Sequence, residues 1–323
     1  MKTIVRERFG IDAVELREVP KPEIGDDQVL VRVHASSVNP VEWYGVYAPP
    51  FMRVMSGQLR TPHSSTLGAD LAGTVEAVGK DVTDLRTGDD VFGTSPGSWA
   101  EYAAASAARL TRKPASVSFE EAAAVPVAGL TALQALRDHG AVEPGQKVLV
   151  NGASGGVGTY TVQIANALGA DVTAVCSTRN VDQARSLGAN RVVDYTREDY
   201  TRGDERYDVI VDVAGTHSWR QNRRVLVAGG TLVLTGMPTG NHVTGPIGRL
   251  ARLWLTSRIG HGRKLVFFIC KPNRSNLATL RDLIEEGKVH PAVDRVYPLG
   301  EIADALETMG EGHVQGKLVV RID

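Results

Sequence analysis

The sequence predicts an α/β protein of two parts, a barrel-like antiparallel β domain and a doubly wound parallel-sheet domain, and three observations lead there. Short β-like runs separated by closely spaced Gly, Pro and Asp fill the first third of the chain. From about Val117 onward strands and helices alternate, and these strands are continuously apolar, as strands covered on both faces are. The length of 323 residues exceeds what one ordinary hydrophobic core supports.

Taken in order, residues 28–35 alternate apolar and polar in their middle, the pattern of a half-buried strand. Residues 72–79 read similarly, and 89–93 and 99–103 are further short strands. Residues 119–139 are rich in Ala and Leu and read as helical, with Pro126 and Gly129 as interruptions. A buried strand follows at 147–150, then a helix at 156–168 closed by Gly169. The alternation continues with a strand at 171–176, a short helix at 181–187 before Gly188, and strands at 191–193, 207–213 and 231–234. Beyond Lys271-Pro272 the chain reads as a helix over 275–287, a strand near 293–296, a helix over 302–309 and a last strand over 316–322. This tail is expected to return to the first domain, where its final strand fills a place in the barrel.

Bulk properties narrow the function. The formal net charge is −1, which gives no electrostatic reason for a nucleic-acid or membrane partner. No run of about 18 apolar residues exists, and the opening MKTIVRERFG has no apolar signal-peptide core. The two cysteines, Cys176 and Cys270, cannot build a disulfide framework or a four-cysteine zinc site. A soluble protein of a reducing cytoplasm is the expectation.

The strongest motif is the run from Val148 to Gly158, VLVNGASGGVG, between a predicted strand and a predicted helix. Aligned to the dinucleotide pattern G-x-G-x-x-G, its positions are Ala153, Gly155 and Gly158. Gly155 lets the backbone approach a pyrophosphate and Gly158 permits close helix–strand packing. The amides of Ser154, Gly155, Gly156 and Val157 open a helix whose partial positive charge suits phosphate. About 20 residues further on, an NAD site carries an acid for the ribose 2′-hydroxyl. Here the second strand ends in Cys176-Ser177-Thr178-Arg179-Asn180, without an acid. Hydroxyls and a guanidinium suit a 2′-phosphate, so Ser177, Thr178 and Arg179 predict NADPH as the cofactor.

At this point the sequence resembles the medium-chain dehydrogenase/reductase superfamily, in particular its zinc-free quinone oxidoreductase (zeta-crystallin-like) branch. The matching segments are SSVNPVEW from Ser36, LGADLAG from Leu67, GDDVFG from Gly88, PVAGLTA from Pro126, residues 152–158, and GHVQGK from Gly312. The resemblance implies a GroES-like catalytic domain, 1–122 and 270–323, and an inserted Rossmann domain, 123–269, with the active site in the cleft between them. It also implies a homodimer formed through the Rossmann sheets, with the apolar strand at residues 264–269 at the seam.

Zinc-dependent members carry a Cys where this sequence has Asn39, and His-Glu where it has Ala69-Asp70. They also carry a four-cysteine lobe that is missing here. The expectation is therefore no metal, and a hydride transfer to an easy electrophile, a quinone or an α,β-unsaturated carbonyl compound. By the same resemblance Asn39 faces the nicotinamide, Thr131 contacts the cofactor and Tyr195 lies beside the 2′-phosphate. Ala214, Gly215, Thr235 and Gly236 end two strands under the cofactor. Phe267, Phe268 and Ile269 form a backbone edge near the carboxamide, and Lys317 is a basic residue close to the cofactor. Tyr47 is a candidate proton donor, and the segment 48–65, with Met52 and Met55, reads as a loop bordering the site. Two alternatives stay open: a zinc alcohol dehydrogenase of the same fold, and a non-catalytic NADPH-binding sensor or structural protein.

Overall fold

The structure is a computed structural model that describes residues 1–48, 53, 62, 66–236 and 262–322. The chain divides into two compact units, one comprising Met1–Leu130, Lys271–Gly287 and Pro291–Asp323, the other Thr131–Cys270 and Lys288–His290. The division falls inside the helix Pro126–Leu133 rather than before it. The expected loop at 48–65 lies almost wholly outside the described residues.

In the first unit, β1 (Lys2–Arg6) pairs antiparallel with β2 (Val14–Glu18). The main sheet is built around β3 (Gln28–Val38), which bonds to β4 (Asp70–Val78) and, through it, to β5 (Asp90–Thr94). β6 (Tyr102–Ser106) also pairs with β3, and β7 (Leu110–Arg112) continues from β5. The strand expected at 99–103 thus begins three residues later. Trp99 is instead fully buried, donating its indole N–H to the Ser37 carbonyl at 3.2 Å. The alternation of β3 also stops at His34: Ala35, Ser36, Ser37 and Val38 are all buried, covered on both faces. Such burial requires partners for two hydroxyls, and Ser36 and Ser37 find them on the Asp70 carbonyl and carboxylate, each at 2.5 Å.

The second unit is a parallel sheet. Its strands are β8 (Lys147–Asn151), β9 (Asp171–Cys176), β10 (Arg191–Asp194), β11 (Tyr207–Asp212), β12 (Leu226–Leu234) and β13 (Lys264–Phe267). They lie in the order β10-β9-β8-β11-β12-β13, so the chain reverses its direction of travel across the sheet between β8 and β11. Such a reversal leaves a crevice above the carboxyl ends of the strands. The register is level there: Asn151 pairs with Val175 and Asp212, and Asp212 with Leu234.

The chain then returns, as expected, to the first unit. β14 (Val293–Pro298) pairs parallel with β15 (Lys317–Arg321), and β15 runs antiparallel to β3, with Leu318 opposite Val38 and Arg321 opposite Ala35. Helix Phe119–Ala123 stops before Pro126, but Gly129 breaks nothing. It sits inside the next helix, where a Cβ would stand 3.1 Å from Leu280 Cδ1. Its smallness serves packing, and this corrects the reading of an interruption. Among the described residues no helix is long and apolar enough to cross a membrane.

Candidate functional site

The glycine run folds as a bend at the carboxyl end of β8. The amides of Gly152 and Ala153 donate to the Val175 carbonyl at 3.2 and 3.1 Å, which turns the chain over the end of β9. Helix Gly156–Ala167 then starts with Gly155 as its N-cap and without a side-chain cap, so its first amides remain open to a ligand. A Cβ on Gly158 would stand 2.0 Å from the Gly152 carbonyl oxygen, whereas one on Gly155 would meet nothing nearer than 3.9 Å. The first glycine is required by packing, and the second leaves a surface clear for a ligand. The bend is held by the buried Asp212, whose Oδ1 accepts from Asn151 Nδ2 and from the Gly215 amide, both at 2.7 Å.

The strand ends collect most of the sequence-predicted residues of this unit in one row. Ser177, Thr178 and Arg179 follow β9, Tyr195 follows β10, Ala214 and Gly215 follow β11, Thr235 and Gly236 follow β12, and Phe268 and Ile269 follow β13. Arg179 and Tyr195 are exposed. Thr235 keeps its Oγ1 enclosed, with no hydrogen-bond partner among the described residues. Ser177 Oγ accepts from Asn180 Nδ2 at 3.2 Å, which leaves its own hydrogen to donate. Thr178 is different: its hydroxyl donates to Asp194 Oδ2 at 2.5 Å, so that hydrogen is committed to a carboxylate. Asp194 is an acid the sequence reading missed, because it lies on the neighbouring strand. Its register partner is Cys176, and that pairing is a tertiary fact. The Asp194 charge and, more strongly, burial push the Cys176 thiol up to about 11, which keeps it neutral and unreactive. The Phe268 ring packs against His139, centroids 4.2 Å apart and planes tilted by 36°.

The first unit carries a buried polar cluster at the junction of β3, β4 and β15. Asp70, with no exposed surface, accepts from Ser37 Oγ at 2.5 Å, Asn39 Nδ2 at 2.9 Å and the Val127 amide at 2.8 Å. Lys317, also buried, directs its ammonium to Asn39 Oδ1 at 2.5 Å, to the Val38 carbonyl at 3.1 Å and to Asp70 Oδ2 at 3.5 Å. Two sequence-based roles change as a result. Lys317 is not a free basic residue, since each of its three hydrogens has an internal partner. Asn39 holds Lys317 and Asp70 with the two ends of its amide, so it organises the cluster.

Helix Pro40–Tyr47 starts at Asn39, whose backbone N–H donates to Glu42 Oε2 at 2.7 Å. The other carboxyl oxygen, Oε1, is buried without a partner among the described residues. Burial, reinforced by the nearby Asp70 charge, pushes this carboxyl up to about 7 despite the opposing pull of Lys317. Sequence reading passed over Glu42, although its spacing of three from a capping Asn with Pro40 between them was a signal. Tyr47 goes the other way. Its ring packs on Trp43 with centroids 4.7 Å apart, and burial and Glu307 raise its pKa, which weakens it as an acid.

Beside the cluster is a cavity of about 360 Å³ lined by Arg6, Glu42, Thr94 and Arg109 among others. Glu42 lines it, whereas Tyr47, the candidate proton donor read from the sequence, is not among its lining residues.

Residues 25–115 match the model of the alcohol dehydrogenase GroES-like domain, and residues 187–320 that of zinc-binding dehydrogenases. A mitochondrial NAD(P)H oxidoreductase of Mus musculus is 32% identical over 92% of this chain and 82% of its own length. The chain belongs to the medium-chain dehydrogenase/reductase superfamily. A chloroplastic NADPH-dependent alkenal/one oxidoreductase of Arabidopsis thaliana is 33% identical over 96% of this chain and 76% of its own. A solved quinone oxidoreductase from Coxiella burnetii superposes with a TM-score of 0.87 at 30% identity, over 100% of this chain and 99% of that one.

For this member of the superfamily the expectation of a cytoplasmic location is overturned, since these two curated relatives are organellar proteins. Bulk composition and a pair of unbridged cysteines do not distinguish one reducing compartment from another. The superfamily's metal was tested against the residues present, and they do not fit it. Asp70 has both oxygens engaged by hydrogen-bond donors, Asn39 offers a neutral amide, and the Lys317 ammonium already supplies the positive charge. Among the described residues, no group of three His, Cys, Asp or Glu side chains is placed to hold a metal ion.

Proposed function

We propose that this protein is a zinc-independent, NADPH-dependent reductase of quinones or α,β-unsaturated carbonyl compounds. The observation that carries the reading is the bend at residues 152–158, an uncapped helix start at the carboxyl end of β8 with an open face at Gly155. NADPH supplies the hydride when bound. Ser154, Gly155, Gly156 and Val157 offer backbone amides to its pyrophosphate, and Ser177 and Arg179 offer a hydroxyl and a guanidinium to its 2′-phosphate. Thr131, Ala214, Gly215, Thr235, Gly236 and the backbone of Phe267–Ile269 complete the set of proposed cofactor contacts. The relative described as an NADPH-dependent alkenal/one oxidoreductase supports both the cofactor and the substrate class.

The substrate is proposed to enter the cavity of the first unit. Glu42, neutral below about 7, can deliver a proton to an oxygen or carbon left electron-rich by reduction. The Asn39–Asp70–Lys317 cluster holds its surroundings rigid and internally neutralised. The chain is further proposed to form a homodimer through β13, the outer strand of the parallel sheet among the described residues, where Phe267 is 42% exposed and Ile269, just beyond the strand, 79%.

Oxidation of NADPH by a panel of quinones and enones, with and without a chelator, tests the reading. Turnover that resists the chelator is expected. Alcohol oxidation abolished by the chelator, or tight NADPH binding with no turnover on any substrate, overturns it.

A further inference from the structure

The cavity of the first unit has an unusual wall. Three of its lining residues carry buried side-chain atoms with no hydrogen-bond partner among the described residues: Arg6 Nε, Glu42 Oε1 and Thr94 Oγ1. These residues are 8%, 6% and 5% exposed. Buried polar atoms are ordinarily satisfied, because leaving one unpaired costs about 1–3 kcal/mol.

The charge of the wall points to the ligand's chemistry. Arg6, at the end of β1, gives one Nη1 hydrogen to the Gly45 carbonyl, and no carboxylate lies within ion-pair distance of it among the described residues. Arg109, in the turn before β7, lines the same cavity and is likewise without an ion-pair partner among the described residues. A guanidinium stays protonated at any working pH, so this wall holds two uncompensated positive charges. Lys317 adds none, since Asp70 neutralises it. Glu42 is the acid on this wall, and with its carboxyl at about 7 it is uncharged in mildly acidic buffer, where it does not repel an anion.

We infer that this cavity binds a carboxylate carried by the substrate, held by the guanidinium groups of Arg6 and Arg109. The planar fork of a guanidinium matches a carboxylate with two parallel N–H···O bonds. A cavity of about 360 Å³ is large enough for a short acid. The inference rests on the proposed reductase reading for its consequence, that an enone bearing a carboxylate is preferred to its neutral ester, and its binding half stands without that reading.

The test uses the full-length protein in mildly acidic buffer. Levulinate, a keto acid that contains no carbon–carbon double bond, and its methyl ester are titrated calorimetrically without NADPH into the wild type, Arg109→Gln and Arg6→Gln. Levulinate is expected to bind the wild type and the ester at least about tenfold more weakly, as one charge-assisted contact implies. Arg109→Gln, at an exposed position that spares the fold, is expected to erase that ratio without changing the affinity for NADPH. In steady state, acetylacrylate is expected to exceed its methyl ester in kcat/KM by a similar factor, and the advantage to vanish in Arg109→Gln. Equal binding of acid and ester, no levulinate binding in the millimolar range, or an Arg109→Gln effect confined to NADPH overturns the inference. Acid-selective binding with no turnover of any enone overturns the proposed activity and leaves the carboxylate site standing. Turnover with no acid preference does the reverse.

Discussion

Lys317 Nζ lies 2.5 Å from Asn39 Oδ1, joining two residues 278 positions apart in a contact with almost no access to solvent. The ammonium also faces Asp70 at 3.5 Å, so a cation, an amide and a carboxylate neutralise one another inside the sheet of the first unit. Burial lowers the Lys317 pKa while Asp70 and Glu42 act against that change. The charge is thus affordable only because its partners are fixed.

Removing the cation exposes that dependence. Lys317→Met leaves the Asp70 carboxylate buried without a counter-ion, and a loss of about 3–5 kcal/mol is expected on urea unfolding. Adding Asp70→Asn, which removes the stranded charge, is expected to recover part of the loss. A single variant as stable as the wild type would contradict the role assigned to the cluster.

Glu42 predicts a pH dependence of stability. Its folded pKa of about 7 lies above its ordinary value of 4.5, so between those limits the folded chain keeps a proton that the unfolded chain releases. The contribution is fully present below 4.5 and is lost as pH rises through about 7. Glu42→Gln, which retains the cap to the Asn39 amide, is expected to flatten this decline. Lys317 is present in both proteins, so the difference between the two unfolding profiles across the window reports Glu42.

The two glycines of the bend predict opposite outcomes. Gly158→Ala drives a Cβ to 2.0 Å from the Gly152 carbonyl oxygen and is expected to yield protein destabilised by several kcal/mol or insoluble. Gly155 has a φ of −82° and open space, so Gly155→Ala is expected to fold with a nearly unchanged Tm and to bind NADPH at least about tenfold more weakly. Thermal unfolding together with fluorescence titration of NADPH separates the two.

Arg179 is the proposed determinant of cofactor preference. This residue is exposed at the end of β9, so its replacement does not disturb the core. Arg179→Asp is expected to raise KM for NADPH about tenfold or more and to leave KM for NADH nearly unchanged, the equivalent of one lost charge-assisted contact. Equal effects on the two cofactors would remove the 2′-phosphate from this position.

What the sequence by itself determined was everything with a local cause. The strand–bend–helix at residues 147–167 was legible because periodicity, turn chemistry and the glycine positions act over a dozen neighbouring residues. The strand at Asp171–Cys176 was placed with the same bounds that the structure shows, for the same reason. Tertiary structure alone decided what depends on distant partners. It turned Asn39 and Lys317 toward each other, brought Asp194 beside Thr178 across a strand pair, and closed Glu42 into a wall with Arg6, Thr94 and Arg109. Charge, solvation and hydrogen-bond satisfaction are properties of the packed surroundings. The same glutamate is an ordinary solvated acid in the extended chain and a group titrating near 7 once β-strands from both ends of the sequence enclose it.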